Sequence, residues 1–253
     1  MNQPATAPGR SGRRVLILGA GAIVIALLAG AAYGLWYLFL QPAGPAGVAN
    51  ASLPAVPVSG ASAKPLGPDG IVGAWKVDPS IGSFSDFSGS WVGYRVQEQL
   101  GSIGANTAVG RTPGVSGSMT IAGTQVTAVT VTADLTTLKS DDDRRDGQLD
   151  RQGIETGTFP TATFALTSPI DLGSVPADGQ EVDVTASGTL TLHGQTKAVQ
   201  IPLKAKLSGS IIEVTGSLQI AWSDYGITKP SSFSVVSIAD VGTMELQLFF
   251  TKA

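Results

Sequence analysis

The clearest alternation of hydrophobic and polar positions lies between residues 182 and 222. Apolar residues or glycine occupy every second position from Val182 to Leu190, from Val199 to Leu207 and from Ile212 to Ile220. A period of two is typical of strands with one buried face. The pattern therefore predicts three consecutive antiparallel strands, joined by short turns and sharing one apolar face.

Turn residues set the expected register of the first hairpin. Glycine favours the first position of a type II′ turn, so Gly194-Gln195 is the expected two-residue loop. Ala186 then faces Leu203 on the apolar side, and Asp183 lies opposite Lys206 on the other side. An opposite-charge pair across two strands supports this pairing.

The second hairpin is expected to turn at Ser208-Gly209, which places Lys204 opposite Glu213. Pro202 lies within the middle strand and has no N–H to donate to a neighbour. We therefore expect a bulge or a local break at that position.

Further segments show strand-like composition or alternation and bring the expected total to eight or nine strands, the range of a closed barrel or a sandwich. The interior of an eight-stranded barrel is either filled by side chains or able to hold one small ligand. A short helix is predicted over residues 141–150, with Ser140 as its N-cap and three aspartates in its first turn. The additional strands are Val72–Asp78, Ser90–Gln99, Gly117–Ile121, Gln125–Leu135, Thr161–Thr167 and Met244–Thr251.

The first seventy residues divide into three parts. Residues 1–14 contain three arginines, and residues 15–40 contain no charged side chain. An uncharged apolar stretch of this length predicts a transmembrane helix with a cytoplasmic N-terminus and an extracytoplasmic C-terminal part. A cleaved signal peptide is the alternative, but its apolar region covers only about 7–15 residues. Residues 41–70 are rich in Pro, Gly, Ala and Ser and predict a flexible tether of about 30 Å, followed by a globular domain over 71–253.

The composition of the chain excludes several kinds of site and partner. The 253 residues include no cysteine and one histidine, which excludes disulfide scaffolds, thiolate chemistry and multi-histidine metal sites. A net charge of −3 argues against nucleic acid as a partner. The charged run Asp141–Asp146 lacks the spacing and the glycine of a calcium loop, so we interpret it as a solvated helix start. Eight aromatic residues could line a cavity or fill an ordinary core: Trp75, Trp91, Trp222, Phe84, Phe87, Tyr94, Phe159 and Phe164.

One string of residues carries a family resemblance. Residues 188–199 read GTLTLHGQTKAV, which closely resembles the G-x-L-T-x-H-G-x-T-K-x-V signature of the YceI-like, polyisoprenoid-binding proteins. Trp75-Lys-Val-Asp78, Arg145-Asp146-x-x-Leu149 and Asp224-Tyr-Gly-Ile227 resemble other segments of that family, in the same order. The family's usual histidine after Arg-Asp is Gln148 here. The signature residues in this chain are Arg145, Asp146, His193, Gly194, Thr196 and Lys197.

The resemblance implies an all-β fold, an extended eight-stranded antiparallel lipocalin-like barrel with a short helix, enclosing a long apolar cavity for an isoprenoid chain. The expected function is to sequester or carry a quinone or polyprenyl lipid outside the cytoplasmic membrane, with no cofactor, metal or catalytic residue. Two alternatives are an exported interaction domain with a filled core and an enzyme using His193. The residues expected to line the cavity are Leu190, Val199, Ile201, Leu203, Val214, Leu218, Ile220 and Phe164.

Overall fold

The computed structural model describes residues 25–33, 45–48, 66–67, 70–101, 104–231 and 235–253. The chain forms two compact units, Met1–Ala43 and Gly44–Ala253. In the first unit, residues 25–33 are helical (α1). Across the described part of the chain, no helix combines the length and the apolar character needed to cross a membrane. The rest of the predicted anchor at 15–40 and most of the predicted tether lie outside the described residues.

The second unit contains one antiparallel sheet. Its strands are β1 (Gly73–Val77), β2 (Trp91–Leu100), β3 (Gly104–Thr112), β4 (Val115–Ala122), β5 (Gln125–Asp134), β6 (Lys139–Ser140), β7 (Thr161–Leu166), β8 (Ile170–Asp171), β9 (Glu181–Leu192), β10 (Gln195–Ser208), β11 (Ile211–Ala221), β12 (Val235–Ile238) and β13 (Val241–Lys252).

The sheet closes into a barrel with eight strand positions. The order β1-β4-β5-β7-β9-β10-β11-β13 returns to its start because β13 also pairs with β1. The long strand β13 pairs with β1 near its end, at Phe250, and with β2 nearer its start, at Gln247. Strands β1 and β2 therefore share one position in the wall, and β3 and β4 share the next. The predicted all-β, eight-stranded antiparallel barrel is confirmed.

Inward-facing residues of this barrel form its main core. The largest hydrophobic cluster includes Trp75, Met119, Ala186, Leu248 and Phe250, all less than a tenth exposed. These residues come from strands all around the barrel, because successive side chains of a strand point to opposite faces. The alternation read from the sequence therefore separates the interior from the outer wall.

The first hairpin turns one residue earlier than the sequence predicts. Leu192 pairs with Gln195, so the turn residues are His193 and Gly194, with φ angles of 50° and 70°. Two positive φ angles define a type I′ turn, whose twist matches that of the flanking strands. Asp183 consequently lies opposite Lys204, with 2.9 Å between their charged groups, and the predicted pairing with Lys206 is wrong.

Gly194 is expected to be sensitive to substitution. Its φ of 70° disfavours any side chain, and an added Cβ would lie 2.9 Å from the Phe159 ring. Gly194→Ala should lower the free energy of unfolding by about 1–2 kcal/mol. Urea denaturation measures this, with Gly157→Ala as control because nothing lies within 4 Å of a Cβ there. Equal losses in the two variants would contradict the strain at Gly194.

The second hairpin is also shifted by two residues in its pairing. Ser208 pairs with Ile211, so the turn falls at Gly209-Ser210, and Glu213 lies opposite Lys206 instead of Lys204. Pro202 keeps its place in the β9–β10 ladder, opposite Thr185. Among the described residues, the β10–β11 ladder begins at Leu203, so the break expected at Pro202 occurs on that side.

The predicted helix is present but shorter. Helix α2 spans Asp143–Gln148 and continues into a wider turn over Leu149–Gly153. Its N-cap is Asp142, which accepts a hydrogen bond from Arg144 N–H, and the expected N-cap Ser140 is wrong. Ser140 instead donates its hydroxyl to Asp146, 2.7 Å away. The helix begins two residues later than predicted because the Asp142 carboxylate, rather than the Ser140 hydroxyl, accepts a hydrogen bond from a free N–H group of the first turn.

Candidate functional site

The barrel encloses an apolar cavity of about 150 Å³. In other apolar cores, a void of this size stays dry and accepts small apolar guests. Thr163, Gln180 and Lys206 are the polar residues among its described lining. The apolar lining comes from nine of the strands together with Ile71, Leu172 and Pro176, and includes Val92, Met119, Ile121, Val131, Phe164, Ile170, Ala186, Leu203, Val214, Met244 and Phe250.

One end of the cavity lies beneath the segment that joins β8 to β9. Leu172, Pro176 and Gln180 of this segment line the cavity. The segment is held at both of its ends: Leu172 N–H donates to the Thr124 carbonyl over 2.9 Å, and Gly179 N–H donates to the Leu207 carbonyl over 2.7 Å. Gln180 and Lys206, two of the three polar lining residues, belong to this region, and Gln180 is exposed, so this end of the cavity lies close to solvent.

The opposite end of the barrel interior holds a polar cluster. Tyr94 pairs across the ladder with Met244, which lines the cavity, and Glu98 continues the same face of β2. Arg145 of α2 reaches Glu98 over 2.8 Å, and Asn106 donates to the same carboxylate over 2.7 Å. A charged pair, Arg145 with Glu98, therefore lies at this end of the barrel interior.

Burial and charge act against each other within this cluster. Burial lowers the pKa of the Arg145 guanidinium, but the carboxylates of Glu98 and Asp141 outweigh that effect and raise it. Burial also raises the pKa of Tyr94, whose hydroxyl has no hydrogen-bond partner among the described residues. Arg145 is therefore firmly charged, and Tyr94 stays neutral.

The predicted cavity residues fall into two groups. Leu190, Ile201, Leu203, Val214 and Phe164 line the cavity.

The other three predicted residues, Val199, Leu218 and Ile220, do not line the cavity and pack in a hydrophobic cluster with Tyr225, which Leu190 and Met244 also join. Beyond Pro202, strand β10 is no longer paired with β11, and the turn Trp222–Tyr225 packs into that space. Which residues touch a ligand stays a prediction.

His193 has a structural environment. Its Nδ1 lies 3.0 Å from the Tyr225 carbonyl, and its Nε2 lies 3.3 Å from a Glu155 carboxylate oxygen. Because a carbonyl can only accept, Nδ1 carries the hydrogen. The Phe159 ring lies 4.3 Å from the imidazole ring. The histidine thus ties the β9–β10 turn to two other loops.

The remaining signature residues have local roles. Thr196 and Thr191 hydroxyls are 2.8 Å apart across the β9–β10 hairpin, and Lys197 is exposed on the adjacent position. Asp146 accepts from the Ser140 N–H over 2.9 Å and lies 3.6 Å from the Lys139 ammonium. Asp141 pairs with Arg145. The carboxylates of Asp141, Asp142 and Asp146 are thus engaged by neighbouring residues.

A fully buried carboxylate lies on the outer face of β11. The Glu213 side chain has no exposed surface, and its Oε2 lies 3.6 Å from the Lys206 ammonium. Burial raises the pKa of Glu213 from 4.5 to about 7, against the opposing effect of Lys206.

Glu213 should make stability depend on pH. The folded state favours the protonated carboxyl, so stability is full below pH 4.5 and is lost as the pH rises through about 7. Glu213→Gln cannot ionise and should exceed the parent chain by about 2 kcal/mol at pH 8, with no gain at pH 4. Urea denaturation at both pH values checks this, with the exposed Asp143→Asn on α2 as control. A gain that is the same at both pH values would refute it.

Sequence reasoning missed a second buried charged cluster on the outer wall. Glu245 on β13 lies 3.2 Å from Arg95 and 3.7 Å from Arg111, and its side chain is 3% exposed. The Arg111 guanidinium is stacked 3.8 Å above the Trp91 ring and 4.5 Å from the Phe87 ring. Of the eight aromatic residues named from the sequence, Phe164 lines the cavity.

The closed antiparallel barrel around an apolar cavity defines an architecture whose interior is able to hold one small ligand. The YceI-like domain model matches residues 75–250, and the chain belongs to this family. No curated protein matches the chain.

The first of three similar solved structures shows the same fold. A polyisoprenoid-binding domain from Saccharophagus degradans, implicated in plant cell wall breakdown, is 21% identical, with a TM-score of 0.55 over 72% of this chain and 99% of that one. BcnA of Burkholderia cenocepacia is 22% identical over 63% of this chain and 95% of its own, with a TM-score of 0.49. The YCEI protein of Campylobacter jejuni is 15% identical over 57% and 84%, with a TM-score of 0.47.

Proposed function

We propose that this chain binds an amphiphilic isoprenoid lipid, of the quinone or polyprenyl type, within its barrel. The apolar cavity carries the proposal, because each methylene group buried from water contributes about 0.8 kcal/mol. A chain of many such groups binds tightly without a catalytic residue. The family and the polyisoprenoid-binding relative from Saccharophagus degradans support this choice of ligand.

The cavity must widen to hold a long chain. Its volume of about 150 Å³ suits a small guest. Met119 and Met244 both line it, and unbranched methionine side chains repack readily. The ligand's first carbons fill the existing void, and displaced side chains admit the rest.

Binding is favoured over catalysis at the one histidine. Both ring nitrogens of His193 are engaged, by Tyr225 and Glu155, and Phe159 lies against the ring. A histidine held in this way stabilises a turn. His193→Ala should therefore weaken the fold, and a variant that lost an activity without losing stability would favour the enzyme alternative.

The predicted anchor at 15–40 would hold the barrel on the extracytoplasmic side. Arginines before the stretch and acidic residues only after it support this orientation. An alkaline phosphatase reporter fused after Ala253 should be active, whereas a reporter that is produced in full at this position but inactive would reverse the orientation.

Lipid analysis tests the proposed function directly. The full-length chain, purified in mild detergent, should carry about one isoprenoid lipid per molecule, identified by mass spectrometry after extraction. Added long-chain quinone should bind with the same stoichiometry. Absence of both would favour the alternative of an interaction domain with a filled core.

A further inference from the structure

The buried cluster on the outer wall is built where β13, β2 and β3 lie side by side. Glu245, Gly93 and Arg111 stand in one row across these strands. Because Gly93 has no side chain, Arg111 and Glu245 approach each other above it, to 3.7 Å. Arg95 donates from Nε to Glu245 over 3.2 Å. One carboxylate therefore holds two guanidinium groups in place.

Arg111 is unusually constrained. Its side chain is 4% exposed, lies over the rings of Trp91 and Phe87, and has an Nε without a hydrogen-bond partner among the described residues. Burial lowers the pKa of this guanidinium against the opposing effect of Glu245. A charged group so short of partners gains from any further acceptor nearby.

Residues 45–48 supply those acceptors. Arg111 Nη2 donates to the Ala46 carbonyl over 2.9 Å, and Arg95 Nη2 donates to the Pro45 carbonyl. Gly47 lies so close that a Cβ there would be 2.7 Å from Glu245 Oε1. Val48, which belongs to the same compact unit as the barrel, is 9% exposed.

We propose that the Arg95–Glu245–Arg111 cluster is a docking site for the backbone of a small-residue segment, and that Pro45–Val48, here called the clasp, is its occupant. The contacts are to backbone carbonyls, and glycine is required only at position 47. The same Pro-Ala-Gly order occurs at residues 42–44. The site thus recognises a peptide with little side-chain bulk. Because the Pro-Ala-Gly order repeats, a peptide shifted by three residues would offer the same backbone carbonyls to the two arginines.

The clasp changes the predicted tether. A free coil over residues 41–70 would span about 30 Å. With Pro45–Val48 docked, this stretch is not one free coil, because four of its residues are held on the outer wall of the barrel.

Limited proteolysis of the full-length chain tests the clasp. Elastase cleaves after small residues, and residues 41–63 contain no lysine or arginine for trypsin. Gly44→Val combined with Gly47→Val should block docking of either Pro-Ala-Gly segment, and it changes no residue of the barrel itself. Elastase cleavage between residues 45 and 48, mapped by mass spectrometry, should accelerate about tenfold. Arg95→Met, which removes one donor from the barrel side, should also accelerate it.

The matched control is Gly67→Val combined with Gly157→Val, where an added Cβ meets nothing within 4 Å. This control should leave cleavage between residues 45 and 48 at the parent rate. Equal cleavage rates in the parent chain, the control and the Gly44/Gly47 variant would overturn the clasp. Lipid binding by the same samples is measured separately, so the two proposals can fail independently.

Discussion

Ala186→Phe is expected to abolish lipid binding while leaving the barrel folded. Ala186 is 2% exposed, lines the cavity and pairs with Ile201 on β10. A cavity of about 150 Å³ holds a benzene-sized guest, so a phenyl ring added there occupies most of the space. Affinity for long-chain quinone should fall at least about 100-fold, because several buried methylene groups are displaced. Quinone titration of the purified chain measures the loss.

Ala198→Phe is the matched control for this experiment. Ala198 is exposed on the same hairpin, so the added ring lies on the outer wall. Overpacking at Ala186 should cost about 1–3 kcal/mol, which thermal melting can follow alongside the binding. If Ala186→Phe retained one tightly bound lipid, the ligand would have to lie outside the barrel.

Arg145→Met is expected to cause the largest loss of stability. The change leaves the Glu98 carboxylate, 4% exposed, without its cation at 2.8 Å. Removing one partner of a buried ion pair costs about 3–5 kcal/mol. For a domain of this size, the melting temperature should fall by roughly 6–20 °C. Asn106, which also donates to Glu98, limits the loss but cannot supply a charge.

A double variant separates the charge from the packing. Glu98→Gln added to Arg145→Met should restore at least half of the lost stability, because a neutral amide is cheaper to bury than a carboxylate. Arg144→Met, at the exposed neighbouring position on α2, should change stability by less than about 0.5 kcal/mol. If the double variant were no more stable than Arg145→Met, the ion pair would not be the source of the effect.

The alternation of residues predicts the faces of the strands better than their register. In both hairpins around β10, the predicted inward residues do point inward, although the pairing is shifted by two residues. A shift of two preserves every face, so hydrophobicity cannot distinguish the two registers. The position of the turn sets the register. The prediction places glycine at the first turn position, whereas in the structure that position is occupied by His193 with a positive φ.

The sequence predicts the lining residues correctly where β10 and β11 are paired, but not where their pairing ends. Leu203 and Val214 line it as predicted, but Leu218 and Val199 do not. Alternation shows which side of a strand is buried, whereas the depth at which the barrel interior closes depends on the turn Trp222–Tyr225 packing from outside the hairpin. That turn approaches through tertiary contacts that no local pattern records.

The outer cluster and the clasp could not be predicted from sequence. Arg95 and Glu245 are 150 residues apart, and Arg111 reaches residue Ala46 from 65 residues away. Charged residues in a strand normally indicate a solvated face. Here Gly93, Trp91 and Phe87 create a buried location for them, and the closure of the barrel brings these residues together.

The end of the β10–β11 ladder at Pro202 makes this side of the barrel wall a seam. Beyond Leu203, within the described residues, the two strands are held together by side chains such as Val199 and Leu218, without ladder hydrogen bonds. Separating them there breaks no ladder hydrogen bond among the described residues, and the remaining apolar contacts depend on water for their strength. This side of the wall should therefore open more easily than the side where β9 and β10 pair without interruption.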